Sequence, residues 1–404
     1  MIWEPTRAAG LARLQAFLPD AGRAYAATRN VDLGPDDRSN VSALSPWLRR
    51  RMITEEEVVA AVLSRHSQAA AEKFVQEVAW RTYWKGWLQL RPAMLDRFDR
   101  ERIALRDQLA RDRGLERRYR KACDGATGIA CFDAWAEELR TLGWLHNHAR
   151  MWFASIWIFT LGLPWQLGAD HFYKHLLDAD PASNTLSWRW VAGLHSVGKH
   201  YLARAENIDR NTRGRFAPYG QLNEAAAPLT EAEPVPPAMP LRAPASHGTG
   251  PLALLLTEED LHPESWPLTG DVQAIAVLPS ATVHAPGSPA ATFSTGALAD
   301  AAARAAAHFG VGCETVAAET VAAWLRGKAL TTLVTSDLPT GMISRQMAAI
   351  APQLAAHGSQ WMPVRRPWDA ALWPLATAGF FKLKTKLPRV IADLGLDPAS
   401  PRLL

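Results

Sequence analysis

Residues 143–204 read GWLHNHARMWFASIWIFTLGLPWQLGADHFYKHLLDADPASNTLSWRWVAGLHSVGKHYLAR. Six of the 17 tryptophans of the chain lie in this stretch. Polar side chains lie between them, and buried charges are tolerated only when they are paired. So many indoles beside carboxylates and carboxamides indicate a binding site for a large aromatic cofactor. Such a site is also compatible with electron transfer. The polar residues are His146, Asn147, Arg150, Asp178, Asp180 and Asn184.

The first half of the chain follows a helical pattern. Its apolar residues recur at positions i, i+3, i+4 and i+7, which places them on one helix face. Turn signals such as Asp124-Gly125 and the Leu-Gly-Leu-Pro of residues 161–164 separate the segments. We therefore predict an all-helical domain over residues 1–220. The clearest helical segments are LARLQAFLPDAGRAYAATR (11–29), EEEVVAAVLSRH (55–66), AAAEKFVQEVAWRTYWKGWLQL (69–90) and FDAWAEELRTLGWL (132–145).

The second half has a different pattern. Residues 221–250 are rich in Ala, Pro and Glu and have no period, which is typical of a linker. Short apolar runs then alternate with helical segments, as in a doubly wound parallel α/β (Rossmann-like) domain, and we predict one over residues 251–404. No GxGxxG and no GxxxxGK[ST] motif is present. The runs are LALLLTEEDL (252–261), VQAIAVLP (272–279) and TTLVTSDL (331–338), and the helical segments are GALADAAARAAAHFG (296–310) and RQMAAIAPQLAAHG (345–358).

Composition narrows the function classes. No segment reaches 18 uninterrupted apolar residues, which argues against a membrane span. The start of the chain does not resemble a secretory signal, and three cysteines without a CxxC pair favour neither a disulfide scaffold, a zinc site nor an iron–sulfur cluster. We expect a cytoplasmic protein without bound metal.

Charge is spread unevenly along the chain. Residues 1–220 carry 32 Lys and Arg against 25 Asp and Glu, and residues 221–404 carry 12 against 15. A basic first half can attract a polyanion. The basic runs Arg49–Arg51 and Arg111–Lys121 are equally compatible with ordinary solvated helix faces.

Four motifs in order resemble the FAD-binding domain of the photolyase/cryptochrome family, over nearly all of residues 3–216. In that family an α/β antenna domain precedes the FAD domain, whereas here the α/β pattern follows it. LALLLTEEDLHPESWPL (252–268) and GFFKLKTKLP (379–388) resemble segments of the antenna domain, so we expect a circular permutation. An unrelated α/β domain is the alternative. The four motifs are ALSPWL (43–48), FVQEVAWRTYW (74–84), GWLHNHARM (143–151) and LLDADPASNTLSWRW (176–190).

The resemblance implies that the helical domain holds FAD, and leaves a second, antenna chromophore open. Asn184 matches the position that faces flavin N5, where a carboxamide adds no charge beside an anionic reduced flavin. Arg150 would pair with Asp178 and Asp180 beside the flavin ring. Ser42 and Ser45 would bind the diphosphate at a helix start, although both could simply be helix caps. The implied FAD-binding residues are Tyr25, Ser42, Leu44, Ser45, Arg150, Asp178, Asp180 and Asn184.

The resemblance also implies a lesion side of the site. Glu77, Asn147 and Met151 match positions that touch damaged bases. Trp188 and Trp165 match the inner two members of an electron relay. The outer member falls near Asp112, where no aromatic residue stands, so Trp157, Trp152 and Tyr173 are the alternative exits for the electron and poor photoreduction is the other alternative. The implied DNA-contacting or lesion-contacting residues are Arg29, Trp80, Arg81, His148 and Trp190, although helical tryptophans such as Trp80 and Trp190 more often pack in cores.

These matches predict a deoxyribodipyrimidine photo-lyase. Blue light would drive FAD-dependent repair of cyclobutane pyrimidine dimers by electron transfer from reduced flavin to a flipped-out lesion. The expected partner is damaged DNA, with no protein partner and a monomeric state. His148, Phe74 and the segment SVGKHYLAR (196–204) depart from the family's wording near the DNA-facing surface. The alternatives are a cryptochrome-like FAD photoreceptor without repair activity and a nucleic-acid-binding protein in which FAD is only structural.

Overall fold

A computed structural model describes residues 3–243, 249–279 and 284–398 of the chain. Helices follow one another from Arg7 to Asn211, as the apolar spacing predicted. The helices are α1 (Arg7–Phe17), α2 (Arg23–Thr28), α3 (Ser45–Arg49), α4 (Glu55–Leu63), α5 (Gln68–Gln89), α6 (Ala93–Arg111), α7 (Arg113–Asp124), α8 (Ala130–Leu142), α9 (Asn147–Ser155), α10 (Trp165–His175), α11 (Pro181–Ala192) and α12 (Ala205–Asn211).

Helix boundaries follow local chemistry. The predicted helix over residues 11–29 is two helices, because Pro19 lies in a short 3₁₀ turn between α1 and α2 and has no N–H to continue the ladder. Asp180 begins α11, since its Oδ1 accepts a hydrogen bond of 2.8 Å from the Ser183 N–H. Gly193 ends the same helix in the left-handed region, at a φ of 83°.

The second half contains a five-stranded parallel sheet in the order β3-β2-β1-β4-β5. The predicted strands over 252–261, 272–279 and 331–338 correspond to β1, β2 and β4, each shorter than its apolar run. The strands are β1 (Pro251–Leu256), β2 (Asp271–Val277), β3 (Cys313–Thr315), β4 (Thr332–Ser336) and β5 (Gln360–Val364), and the helices are α13 (Pro289–Phe309), α14 (Val321–Gly327), α15 (Met342–Ala356), α16 (Pro367–Leu372), α17 (Phe380–Lys384) and α18 (Leu387–Asp393).

The two faces of the sheet belong to different cores. Leu254 of β1 lies in one core with α13 and with the helical half of the chain. Leu255, the next residue, points into a second core with α14 and α15, because successive side chains of a strand alternate between faces. Helices therefore cover both faces, and the helical half packs directly on the sheet.

Arg49, Arg50 and Arg51 are buried between the two halves of the chain, so both interpretations of this run, a solvated face and a polyanion site, were wrong. Arg49 forms a bidentate pair with Glu259, with N···O distances of 2.9 and 2.8 Å. A guanidinium can be buried in this way because carboxylates of a distant segment satisfy it. We call Arg49–Arg51 and their partners the junction cluster; the partners include Glu55, Glu258, Glu259, Asp260 and Asp369.

The predicted linker contacts the helical half through several residues, and its Arg242 contacts Arg365 and Trp361 of the α/β half. Glu231 pairs with both Arg97 and Arg189. The Leu229 N–H donates to the Ala192 carbonyl at 3.0 Å, and the Met239 N–H donates to the Leu90 carbonyl at 2.8 Å. The Pro-rich composition predicted the absence of regular structure, but these hydrogen bonds tie the segment to the surface of the helices.

Within residues 3–243, 249–279 and 284–398, no helix has the length and apolar character needed to cross a membrane. The same residues contain no group of three or more His, Cys, Asp or Glu side chains that could hold a metal ion. Cys123, Cys131 and Cys313 are free thiols.

Candidate functional site

Most of the predicted site residues on α5 and α9 lie on one partly exposed face of each helix, whereas on α11 Trp190 is partly exposed and Asn184 and Trp188 are buried. Positions three or four apart share a helix face. Cross-helix contacts show that these faces meet, because Arg81 of α5 and Arg150 of α9 both reach Asp178, just before α11. The partly or fully exposed positions are Glu77, Trp80 and Arg81 on α5, Asn147, Arg150 and Met151 on α9, and Ser183, Ser187 and Trp190 on α11.

Arg150 and Asp178 form the ion pair that the sequence predicted. Arg150 Nη1 lies 3.0 Å from both carboxylate oxygens of Asp178, and its Nε donates to the Leu145 carbonyl at 2.9 Å. The Asp178 side chain is 2% exposed, whereas the Arg150 side chain is 22% exposed. Burial raises the pKa of Asp178, but Arg150 and Arg81 outweigh this effect and hold the pKa below its usual value. The carboxylate is therefore charged, with its guanidinium partner facing open space.

Asp180 lies among three cations, but not with the partner predicted for it. Its Oδ2 is 3.5 Å from Lys85 Nζ, 3.8 Å from Arg81 and 3.9 Å from Arg49, and no contact with Arg150 is present among the described residues. Burial raises its pKa, but these cations together lower the pKa to about 2. No hydrogen bond to this Oδ2 is formed within the described residues. The oxygen is thus charged, buried and without a donor.

Asn184 is buried one turn into α11. Its Nδ2 donates to the Ala169 carbonyl of α10 at 2.7 Å. This bond fixes the orientation of the amide, since only the NH₂ group can donate to a carbonyl. Among the described residues, no donor reaches the Asn184 Oδ1. The carboxamide therefore keeps a neutral acceptor available.

The predicted phosphate-binding loop is held from both sides. Arg13 donates to the carbonyls of Ser42 at 2.7 Å and Val41 at 2.7 Å. Trp144 Nε1 donates to Ser45 Oγ at 3.0 Å, which connects the loop to the segment before α9. Leu44 is buried and begins α3, and its carbonyl accepts the first helical hydrogen bonds. Ser42 and Ser45 remain partly exposed, so the loop is shaped by Arg13 and Trp144.

Arg29 of α2 and Glu77 of α5 form an ion pair at the edge of the site. Tyr25, one turn before Arg29, is buried against Phe17 and Phe74. Burial raises the pKa of Tyr25, with the nearby Glu77 carboxylate as a further cause, so the phenol stays neutral. Arg29 and Glu77 therefore face the site together.

The two tryptophans predicted to flank a lesion are each stacked on another ring. Trp190 stacks on Tyr201, with ring centroids 5.8 Å apart. Trp80 stacks on Phe380 of α17, with centroids 3.8 Å apart and an interplanar angle of 17°. Both indoles keep partly exposed surface. Phe380 is a neighbour that the sequence did not predict, because it lies 300 residues further along the chain.

The first turn of α9 carries the remaining predicted lesion residues. Asn147 is exposed and Met151 is partly exposed. His148 lies 2.9 Å, through Nδ1, from the Asn30 carbonyl, so it is tied to the end of α2. The buried His146 caps α9 through Nδ1, and burial lowers its pKa to about 4, which keeps the ring neutral.

The inner tryptophan of the predicted relay, Trp188, contacts Trp157 with ring centroids 6.1 Å apart. Trp157 in turn contacts Tyr119 of α7 at 5.9 Å. Trp165 packs on Phe98 at 5.5 Å and lies below the Arg189 guanidinium. Phenylalanine is not readily oxidised, so the aromatic path that reaches a partly exposed, oxidisable ring leads through Trp157.

Sequence reasoning missed Lys85 and Trp144 as parts of the site. Lys85 lies one turn after Arg81 on α5, so the i+4 spacing could have placed it near Asp180. Trp144 lies within the quoted motif at 143–151, and its bond to Ser45 needed the fold. Trp157 was one of three alternative exits that the sequence offered, and the ring contacts favour it over Trp152 and Tyr173.

The arrangement fits FAD. The buried Asp180 Oδ2 is a polar group of the site that accepts no hydrogen bond from the described residues. Buried polar groups in proteins almost always have partners. The hydroxyl and imide groups of a flavin nucleotide provide donors and acceptors of the required kind.

Residues 74–218 match the family model described as the FAD binding domain of DNA photolyase. This part of the chain is similar to the photolyase/cryptochrome family, as the resemblance implied. Three of the four motifs lie within the matched residues, and ALSPWL (43–48) precedes them.

Among curated proteins, the deoxyribodipyrimidine photo-lyase of Thermus thermophilus is 34% identical over 192 residues, which cover 47% of this chain and 43% of the relative. That of Streptomyces griseus is 34% identical over 162 residues, 40% of this chain and 34% of the relative. A cryptochrome DASH of Idiomarina loihiensis is 25% identical over 223 residues, 54% of this chain and 47% of the relative. The matched segments thus span less than half of each relative.

Two solved structures are similar to the chain. A bacterial class III photolyase from Agrobacterium tumefaciens shares 26% identity at a TM-score of 0.40, covering 52% of this chain and 43% of that one. A cryptochrome of Synechocystis shares 23% identity at a TM-score of 0.41, covering 51% and 43%.

Proposed function

We propose that the chain is an FAD-dependent, blue-light-driven photolyase that repairs cyclobutane pyrimidine dimers in DNA. One arrangement carries the proposal: Arg81 of α5 and Arg150 of α9 converge on the Asp178 carboxylate in front of α11. This contact joins the three helix faces that hold the predicted cofactor and lesion residues.

When bound and reduced, FAD would supply the electron that splits the dimer after absorption of blue light. The chain itself would hold and position the reactants. Arg150 and Asp178 would border the ring system as a charged pair. The Asn184 Oδ1 would accept a hydrogen bond without adding charge, since its NH₂ group is already used by Ala169.

The lesion would lie against α5 and α9. Glu77, which pairs with Arg29, would hydrogen-bond a base edge, and Asn147 and Met151 of α9 would also contact the lesion. Trp80 and Trp190 would offer their exposed surfaces to the extruded bases. Stacking of a base on an aromatic ring contributes roughly 1–3 kcal/mol, which offsets part of the few kcal/mol that flipping costs.

One observation favours a cryptochrome-like photoreceptor as the second candidate. Phe380 covers one face of Trp80 at stacking distance. A ring in that position reduces the surface that Trp80 can offer to an extruded base. In this second candidate the chain binds FAD and changes its redox state in light, but leaves DNA unchanged.

We further propose that the chain is a circular permutation of the two-domain family architecture. The doubly wound sheet follows the helical domain, and its β1 shares a core with the helices. The short sequence matches at 252–268 and 379–388 support a common origin for the α/β domain. Glu259 of the α/β domain pairs with Arg49, which directly follows the ALSPWL motif, so the two domains meet beside the predicted phosphate loop.

One assay separates the two candidate functions. The purified protein is reduced and illuminated with an oligonucleotide that carries one thymine dimer. Loss of the dimer in light but not in darkness supports repair. Unchanged DNA together with a light-driven change in flavin absorbance supports the photoreceptor, and a colourless preparation that cannot be loaded with FAD contradicts both.

The electron path is tested by comparing two variants, Trp157→Phe and Trp165→Phe. If electrons reach the flavin through Trp188, Trp157 and Tyr119, we expect Trp157→Phe to slow light-driven flavin reduction roughly tenfold or more, which corresponds to about 1.4 kcal/mol in the barrier. Trp165→Phe should have a smaller effect. Time-resolved absorption measures the rate of flavin reduction in both variants. A larger effect of Trp165→Phe than of Trp157→Phe would indicate that electrons reach the flavin through Trp165.

A further inference from the structure

Helix α17 lies at the rim of the site. Phe380, its first residue, is buried by its stack on Trp80. Phe381, the next residue, is 77% exposed. Large apolar side chains on a surface are unremarkable one at a time. Phe381, however, directly follows Phe380, whose ring stacks on the predicted lesion-binding residue Trp80.

Lysines surround Phe381. Lys384 forms an ion pair with Glu72 of α5, with an N···O distance of 3.0 Å, which anchors α17 to the helix that carries Glu77 and Trp80. Lys382 and Lys386 are exposed, and no carboxylate pairs with either among the residues the structure describes. The two unpaired ammonium groups therefore flank an exposed aromatic ring.

The neighbouring acids do not neutralise this surface. Glu72 is engaged by Lys384, and Glu77 is engaged by Arg29. In α18, Asp393 pairs with Arg389 at 3.5 Å. Lys73 of α5, next to Glu72, is also exposed and adds a further positive charge. The net charge of the rim is positive, which complements a phosphodiester backbone.

We propose that α17 is a DNA-contacting surface contributed by the C-terminal α/β domain. Lys382 and Lys386 bind phosphates of the strand beside the lesion, and Phe381 packs on an adjacent base or sugar. The proposal rests on the proposed function, because DNA contacts this rim only if it lies across Trp80. It adds to that function a second domain that grips the substrate.

The lysines are tested by salt dependence in the FAD-loaded protein. Binding of the protein to a fluorescent duplex is measured by anisotropy at several salt concentrations. Each lost phosphate contact lowers the slope of log K against log salt by about 0.9. We expect the double variant Lys382→Ala/Lys386→Ala to lower the slope by nearly two units, while Lys328→Ala, which removes a cation paired with Glu314 on another part of the α/β domain, leaves it unchanged.

Phe381 is tested by a separate change. Phe381→Ala should weaken binding roughly fivefold or more, as expected for loss of one base–aromatic contact, without changing the salt slope. Because Phe381 is exposed, the variant should fold, and its flavin content checks this. Phe381→Trp should preserve affinity.

The results separate this inference from the proposed function. Repair by the wild-type protein, together with an unchanged salt slope in the double lysine variant, overturns the α17 surface alone. Absence of any DNA binding by the wild-type protein overturns both. A reduced slope with intact flavin content supports the surface, whether or not repair is observed.

Discussion

Two clusters of arginine and carboxylate residues lie close together in this molecule and differ in exposure. In the junction cluster, the Arg49, Arg50 and Arg51 side chains are 6%, 1% and 4% exposed. At the candidate site, the Arg150 and Arg81 side chains are 22% and 15% exposed. The residue types are the same, so composition does not distinguish a structural ion-pair network from a ligand site.

Arg51 and Asp180 differ in how far their partners satisfy them, although the junction cluster also holds one buried nitrogen without a hydrogen-bond partner, Arg50 Nε. Arg51 is held by three carboxylates, from Glu55, Asp260 and Asp369. Its φ of 50° lies in the left-handed region, which an arginine rarely adopts unless its surroundings enforce it. At the candidate site, in contrast, the Asp180 Oδ2 has no hydrogen-bond donor among the described residues. A closed network stabilises the fold, whereas an open one leaves groups for a ligand.

The largest effect should come from breaking the closed network. Arg51→Ala leaves three buried carboxylates without their shared cation, and removing one partner of a buried pair typically costs about 3–5 kcal/mol. Denaturant unfolding measures the loss. The control is Arg345→Ala, an exposed arginine paired with Asp96 and Asp99, for which less than about 1 kcal/mol is expected. Equal costs for the two variants would refute the assigned difference.

Asp180 lies near Arg49 of the junction cluster and Arg81 of the candidate site, so both clusters influence its pKa. Its pKa is about 2 in the folded protein, below the unfolded value of about 3.9. The carboxylate therefore contributes stability that is complete above about pH 4 and is lost as the pH falls towards 2. The difference corresponds to about 3 kcal/mol. We expect Asp180→Asn to remove this part of the pH dependence of unfolding, and parallel pH curves for variant and wild type would contradict it.

Arg150→Ala should have the smallest effect on stability and a specific effect on the cofactor. Asp178 would retain Arg81 as a partner, so the unfolding free energy should change by about 1 kcal/mol. FAD affinity should fall about tenfold or more, the size of one charge-assisted hydrogen bond. Flavin absorbance during equilibrium dialysis measures affinity, with Arg150→Lys as the charge-preserving control. A large loss of stability with unchanged flavin binding would show that Arg150 has a structural role like that of the arginines of the junction cluster.

Most helix and strand positions were predictable, because spacing of apolar residues decides which face is buried. The helix over 69–90 and the strands in 252–261, 272–279 and 331–338 formed near their predicted positions. The predicted helix over 11–29 was wrong in one respect, since Pro19 interrupts it. The Arg150–Asp178 pair formed as the motifs implied, since both residues lie on elements that the motifs identify.

Contacts between distant segments were not predictable. Nothing in the spacing of Arg49–Arg51 indicated that Glu258–Asp260 would meet them, and nothing near Trp80 indicated Phe380. Neither contact is local, since the partners are more than 200 residues apart along the chain. The role of Trp157 depended in the same way on where α7 and α11 place their rings.

The sequence alone determined which residue types are present, which elements they form and which family the helical part resembles. Those properties depend on local periodicity, on caps such as Asp180 and on motif order. Only the tertiary structure decided which arginines are buried and paired in the junction cluster and which stay partly exposed at the candidate site. The physical reason is that the burial and pairing of a charge depend on residues from distant parts of the chain. The local sequence does not show which distant residues will be in contact.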